Sequence, residues 1–253
     1  MRVMPHRFFV LCYLLCLPFT AVGAAEVRVA VASNFLHTAQ ALASGFEQRS
    51  GHRVIISSGS TGKLYAQILH GAPFDLFLAA NTTEPKKLLA SEHAVADSYL
   101  VYAVGKLVLW GKQVEEGSDC IASLQTVNFQ RMALANPELA PYGKAAMEII
   151  TALGVEERIK GRLVMGENIG QTFQFVASGN VDGGFISQSQ LAGKAHLPAG
   201  GTCVPPQRLY SPIEQAAVVL KRAKDNAAAM EFMRYLKSPA AQALIRSEGY
   251  GID

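Results

Sequence analysis

Four times in this chain an apolar run ends in a short turn of hydroxyl, amide or glycine residues and passes directly into a segment with helical spacing. The turns are Ser33-Asn34, Ser60-Thr61, Pro141-Tyr142-Gly143 and Asn168-Ile169-Gly170. Alternating strands and helices mean a mainly parallel sheet, whose ligands bind beyond the C-terminal ends of the strands. The stretch Ser57 to Lys63, SSGSTGK, shows the chemistry of these turns most openly. Gly59 and Gly62 allow backbone conformations other residues avoid, Ser60 and Thr61 bring hydroxyls, and the first amides of the following helix have no partner within it. Such a turn suits an anion. It is not a Walker A loop, because Ser57 and Leu64 stand where that motif needs Gly and Ser or Thr. Nor is it a nucleophile elbow, since Ser60 sits in Gly-Ser-Thr-Gly, one residue short of Gly-x-Ser-x-Gly.

The order of segments predicts two lobes. EVRVAVAS, HRVIISS and GAPFDLFLAAN read as strands, separated by the amphipathic run LHTAQALASGFEQRSG and the helix after Ser60. Tyr99 to Lys112, YLVYAVGKLVLWGK, exceeds an ordinary strand and carries Gly105 in its middle, as a crossing between lobes would. Beyond it the pattern starts again with RMALAN, KAAMEIITALG, RLVMG, TFQFVASG and VDGGFIS. HGAPFDLFLAA and SGNVDGGFISQ form a weak internal repeat. LYSPIEQAAVVLKR reads as the return crossing, and the C-terminal helices pack back on the first lobe. The expected architecture is an α/β clamshell with lobe I at residues 26–103 plus 214–253 and lobe II at 104–213. The four turns line its cleft.

Residues 1–25 read as a secretory signal peptide: Arg2 and Arg7, the apolar run FFVLCYLLCLPF, then small residues. Cleavage before Ala25 or before Glu26 fits equally well. The run is shorter than the roughly 20 residues of a membrane span, and Leu15 before Cys16 is wrong for a lipid anchor. The leader takes two of the 23 basic residues and none of the 20 acidic ones, leaving a formal charge of +1 and no nucleic-acid footprint. It also takes Cys12 and Cys16, so that Cys120 and Cys203 remain and are expected to form one disulfide in an oxidising compartment. Two such distant cysteines do not make a zinc site.

AVASNF, SGSTGKLYAQI, GAPFDLFLAAN, ANPELAPYGKAA and SPAAQALIRSEGYGI, in this order and spacing, resemble the periplasmic molybdate-binding proteins of ABC transporters over essentially the whole mature chain. The resemblance implies the type II periplasmic-binding-protein fold. It implies a monomer that captures molybdate and tungstate in the periplasm and passes them to a membrane permease with a cytoplasmic ATPase, without cofactor or catalytic group. Carried over by position, the ligand contacts fall on Ser33, Asn34, Ser60, Tyr142 through its amide or hydroxyl, and Ile169 through its amide; no residue ligates the metal directly. Some members contact the ligand with a tyrosine from the strand after the last cleft helix, where this chain has Ser187. Those members have a small residue at the position of Tyr142, which here is expected to supply the hydroxyl.

An uncharged donor pocket suits a fully ionised tetrahedral dianion. Lys63 and His37 are read as helix surface residues outside the first contacts, and Asp75 and Asp182 as structural caps. No nucleophile and base recur near the turns, so no enzyme is expected. Sulfate or phosphate is the alternative ligand. Phosphate keeps a proton near neutral pH and wants an acceptor, for which Glu138 and Glu167 are the candidates by sequence proximity.

Overall fold

The computed structural model describes residues 24–192 and 199–252. Most of the leader, up to residue 23, lies outside the described residues. The chain first builds β1 (Glu26–Ala32), α1 (Leu36–Ser50), β2 (Arg53–Gly59), α2 (Thr61–Leu69), β3 (Leu76–Leu78) and α3 (Thr83–Ala90). The crossing run divides into β4 (Leu100–Gly105) and β5 (Leu107–Gly111), with Lys106 between them. The second lobe continues through α4 (Cys120–Thr126), β6 (Met132–Ala135), α5 (Pro141–Ala152), α6 (Glu156–Ile159), β7 (Leu163–Gly166), α7 (Ile169–Ala177), β8 (Gly183–Ser187) and β9 (Gly201–Cys203). β10 (Ile213–Val219) returns, and α8 (Ala227–Leu236) and α9 (Pro239–Ser247) close the chain.

Two five-stranded sheets result, β2-β1-β3-β10-β4 and β7-β6-β8-β5-β9. Within each, the first three strands pair in parallel. The fourth is the strand that arrives from the other lobe, β10 in the first sheet and β5 in the second, and it runs antiparallel to its neighbours. This is the two-lobed type II binding-protein fold, and its two crossings are built into the sheets as strands.

Both sheets are buried on both faces. In β1, Val29 and Val31 point to a core shared with Phe46 of α1 and Phe232 of α8, whereas Ala30 points to Leu64 of α2 and Leu88 of α3. In β5, Leu107 and Leu109 face Ile149 of α5, and Val108 and Trp110 face Phe173 of α7. Each such apolar side chain, fully buried, contributes about 1.5–3 kcal/mol. Two rigid cores therefore hold the strand ends that carry the turns. Cys120, at the start of α4, is bonded to Cys203, at the end of the edge strand β9, with Cα atoms 5.3 Å apart. Both cysteines lie at the ends of short elements.

Candidate functional site

β1, β2 and β7 end at the first, second and fourth turns, and a short loop joins β6 to the third. Ser33, Asn34, Ser60, Thr61, Tyr142 and Ile169 line one small cavity between the lobes. Its volume of about 10 Å³, room for about one water-sized sphere, is far below the roughly 300–1,000 Å³ of sites for organic molecules. No lining residue carries a charge. The first turns of α2, α5 and α7 contain no acidic residue to offset their positive ends. The lobes meet beside the cavity: Gly62 N–H donates to the Leu139 carbonyl at 3.0 Å, and Gly170 N–H to Ser33 Oγ at 3.2 Å.

Ser60 occupies the N-cap position of α2, yet its side chain makes no capping bond. The residue is 2% exposed, and Oγ has no hydrogen-bond partner among the described residues. Leaving a buried hydroxyl unpaired costs about 1–3 kcal/mol, so its retention in the cavity wall calls for an acceptor there. Its neighbour Thr61 is structural: Oγ1 accepts from Ala80 N–H at 3.0 Å and ties α2 to the end of β3.

Asn34 is buried in the turn after β1; its Nδ2 donates to Gln215 Oε1 at 2.9 Å and to the Tyr250 hydroxyl at 3.1 Å. Its carbonyl accepts from the Tyr250 hydroxyl at 2.8 Å and from Ser189 Oγ at 3.2 Å. Tyr142 follows Pro141 at the start of α5, where an N–H has no place in the helix ladder. Its hydroxyl accepts from Ser187 Oγ at 3.1 Å and Gln215 Nε2 at 3.2 Å. Burial pushes its phenol well above the ordinary value of 10, against the opposing pull of those two bonds, so it stays neutral. Ile169 opens α7 behind the N-cap Asn168, whose side chain accepts from Gln171 N–H, and its own amide lies outside the helix ladder. Ser187 is absent from the cavity wall and backs Tyr142 from behind.

The other residues weighed from sequence sit elsewhere. Lys63 is not merely solvated: Nζ lies 2.6 Å from Glu167 Oε2, an ion pair between the lobes with both side chains nearly half exposed. The exposed His37 ring lies 3.7 Å from the largely buried carboxylate of Glu248. Asp75 accepts from Arg28 N–H and pairs with Arg222, while Asp182 accepts from the amides of Gln130 and Arg131. Glu138 faces a neighbouring cavity of about 360 Å³ together with Glu84, Glu148, Glu214 and Lys144. That larger space is of organic-ligand size, but four carboxylates against one lysine make it unsuited to an anion.

Sequence reasoning missed Gln215, Tyr250 and Ser189. For Gln215 a signal existed, because a carboxamide inside the apolar strand IEQAAVV must find partners once buried. Tyr250 follows the last helix, and nothing in its local sequence ties it to a turn more than two hundred residues away.

Residues 27–251 match the bacterial extracellular solute-binding protein family. The chain is 46% identical to the molybdate-binding protein ModA of Azotobacter vinelandii over 232 residues, 92% of each chain. It is 42% identical to ModA of Rhodobacter capsulatus over 228 residues, 90% of this chain and 89% of that one. Its structure is similar to that of the Azotobacter vinelandii periplasmic molybdate-binding protein, with a TM-score of 0.85 at 37% identity, covering 90% of this chain and 100% of that one. These relatives are solute-binding proteins rather than enzymes. The chain belongs to the bacterial extracellular solute-binding proteins, and within them to the molybdate-binding proteins.

Proposed function

We propose that this protein binds one molybdate dianion in the small cavity between its lobes and delivers it, in the periplasm, to the permease of an ABC transporter. Ser60 and Ser33 give hydroxyls, Tyr142 a hydroxyl or amide, and Ile169 and Asn34 their main-chain amides, both Nδ2 hydrogens of Asn34 being already bonded. Tungstate, with the same charge and shape, is taken by the same donors. The protein acts as a monomer, without a cofactor, after losing its N-terminal leader. The observation that carries the reading is the Ser60 hydroxyl, buried in the cavity wall with no partner among the described residues. Hydrogen bonds to charged groups are each worth about 1.5–3 kcal/mol, so several suffice for micromolar or tighter binding after ordering costs.

The cavity wall bears on the phosphate alternative. Glu167 is paired with Lys63 and Glu138 faces the larger cavity, so neither carboxylate offers hydrogenphosphate an acceptor in the wall. The test is calorimetric titration of the mature protein with molybdate, tungstate, sulfate and phosphate in turn. Molybdate and tungstate are expected to bind one to one and to raise the melting temperature, by about 2.7 kcal/mol of stability at a hundred times Kd. Equal stabilisation by sulfate at the same concentration would overturn the assignment.

A further inference from the structure

Gln215 does not line the anion cavity, yet it touches residues on both of its walls. It is 0% exposed and sits on β10, the strand by which the chain returns to the first lobe. Its Nε2 donates to the Tyr142 hydroxyl in lobe II at 3.2 Å, and its Oε1 accepts from Asn34 Nδ2 in lobe I at 2.9 Å. The Tyr102 hydroxyl, from the other crossing strand, reaches the same oxygen at 3.1 Å. The pairing of β10 with β4 shifts register between Gln215 and Ala216, so that Tyr102 is left over between the partners Val101 and Ala103. A bulge of this kind re-aims side chains, and here it falls at the residue that spans the site. Gly105, at the end of β4, clears the space in which the contact is made: a Cβ there would lie 2.1 Å from the Tyr142 hydroxyl and 2.8 Å from Gln215 Nε2.

We infer that Gln215 is a positioning residue for anion binding, setting the Tyr142 hydroxyl against the ligand from the return crossing while it anchors the turn that carries Asn34 on the opposite wall. The inference rests on the molybdate reading above. A buried carboxamide in a strand otherwise apolar is costly unless its bonds are made, and all the bonds it makes go to the site's own residues or to Tyr102. The crossing strand thereby fixes donors on both walls relative to one another. Affinity should depend on a residue that never meets the ligand.

The experiment is a double-mutant cycle in the mature protein, with Kd for molybdate read by calorimetry. Gln215→Met is expected to weaken binding about tenfold or more, the scale of one hydrogen bond to a charged ligand. Tyr142→Phe should weaken it comparably, and the double variant should lose much less than the product of the two losses, since Gln215 acts through that hydroxyl. Ligand-free melting curves check folding. If Gln215→Met does not fold, Gln215→Glu keeps the acceptor for Asn34 and Tyr102 while ending donation to Tyr142. In that variant too the loss should shrink when residue 142 is already phenylalanine. Losses that multiply independently, or a Gln215 variant with unaltered affinity, overturn the inference. Failure of the wild-type protein to bind molybdate would instead overturn the functional reading on which it rests.

Discussion

Replacing Ser60 by alanine separates a ligand contact from a helix cap. A serine that caps α2 would bond an amide of the first turn, and its loss would cost about 0.5–2 kcal/mol of stability, ligand or no ligand. The structure has no such bond to lose: Oγ is buried in the cavity wall and unpaired among the described residues. Ser60→Ala should therefore leave the ligand-free melting temperature unchanged or slightly raised, because the variant no longer buries an unsatisfied hydroxyl. Molybdate affinity should fall by about tenfold to more than a hundredfold, the worth of one hydrogen bond to a dianion. Thermal unfolding of the free protein and calorimetric titration, run on the same samples, read the two quantities. A variant that melts lower when free but binds molybdate at the original affinity would refute the reasoning, and would move the centre of the site away from this turn.

Three further outcomes follow from the geometry. Lys63→Ala breaks the exposed inter-lobe pair with Glu167, worth about 0–1 kcal/mol; molybdate affinity should fall by less than about fivefold, and the loss should shrink in salt when titrated at two ionic strengths. Cys203→Ser opens a disulfide spanning 83 residues of chain and should cost about 2–4 kcal/mol in urea unfolding, while calorimetry finds affinity unchanged because the bond lies outside the cavity wall. Gly105→Ala drives a methyl into the Tyr142 hydroxyl and should weaken binding about tenfold or more; normal affinity would show that this hydroxyl has no part in it.

The strand-to-helix turns were legible because each places a recognisable residue set between two periodic segments, and all four reach one cavity. The division of Tyr99 to Lys112 was legible as a crossing through its length and Gly105, but the reason for that glycine was not. It is a close approach by Tyr142, a residue far along the chain. β9 escaped notice because three residues among glycines and prolines carry no periodicity; it forms as an edge partner for β5. Lys63 looked solvated because its partner Glu167 belongs to the other lobe. The sequence showed which groups could face an anion, whereas the supporting bonds of Gln215, Tyr250 and Ser189 depend on tertiary distances that no local pattern encodes.

The uncharged wall also fixes how the protein should respond to pH. Nothing lining the cavity ionises between pH 6 and 9 and the dianion is fully ionised there, so molybdate affinity should be flat over that range. Above it, the buried phenols of Tyr102, Tyr142 and Tyr250 come into play, all three pushed up from 10, chiefly by burial. In the unfolded chain they lose protons near pH 10, while the folded chain holds them to higher pH. Between those values the unfolded state binds fewer protons, so stability is fully present below about pH 10 and is lost as pH rises through the folded values. Each phenol contributes a slope of about 1.4 kcal/mol per pH unit, and the three together about 4. Urea unfolding at pH 9, 10 and 11 reads the slope, and Tyr250→Phe should lower it by up to about 1.4 kcal/mol per pH unit. An unchanged slope in that variant would mean that other groups drive the alkaline loss, and the neutrality of the tyrosine cluster behind the anion site would lose its support.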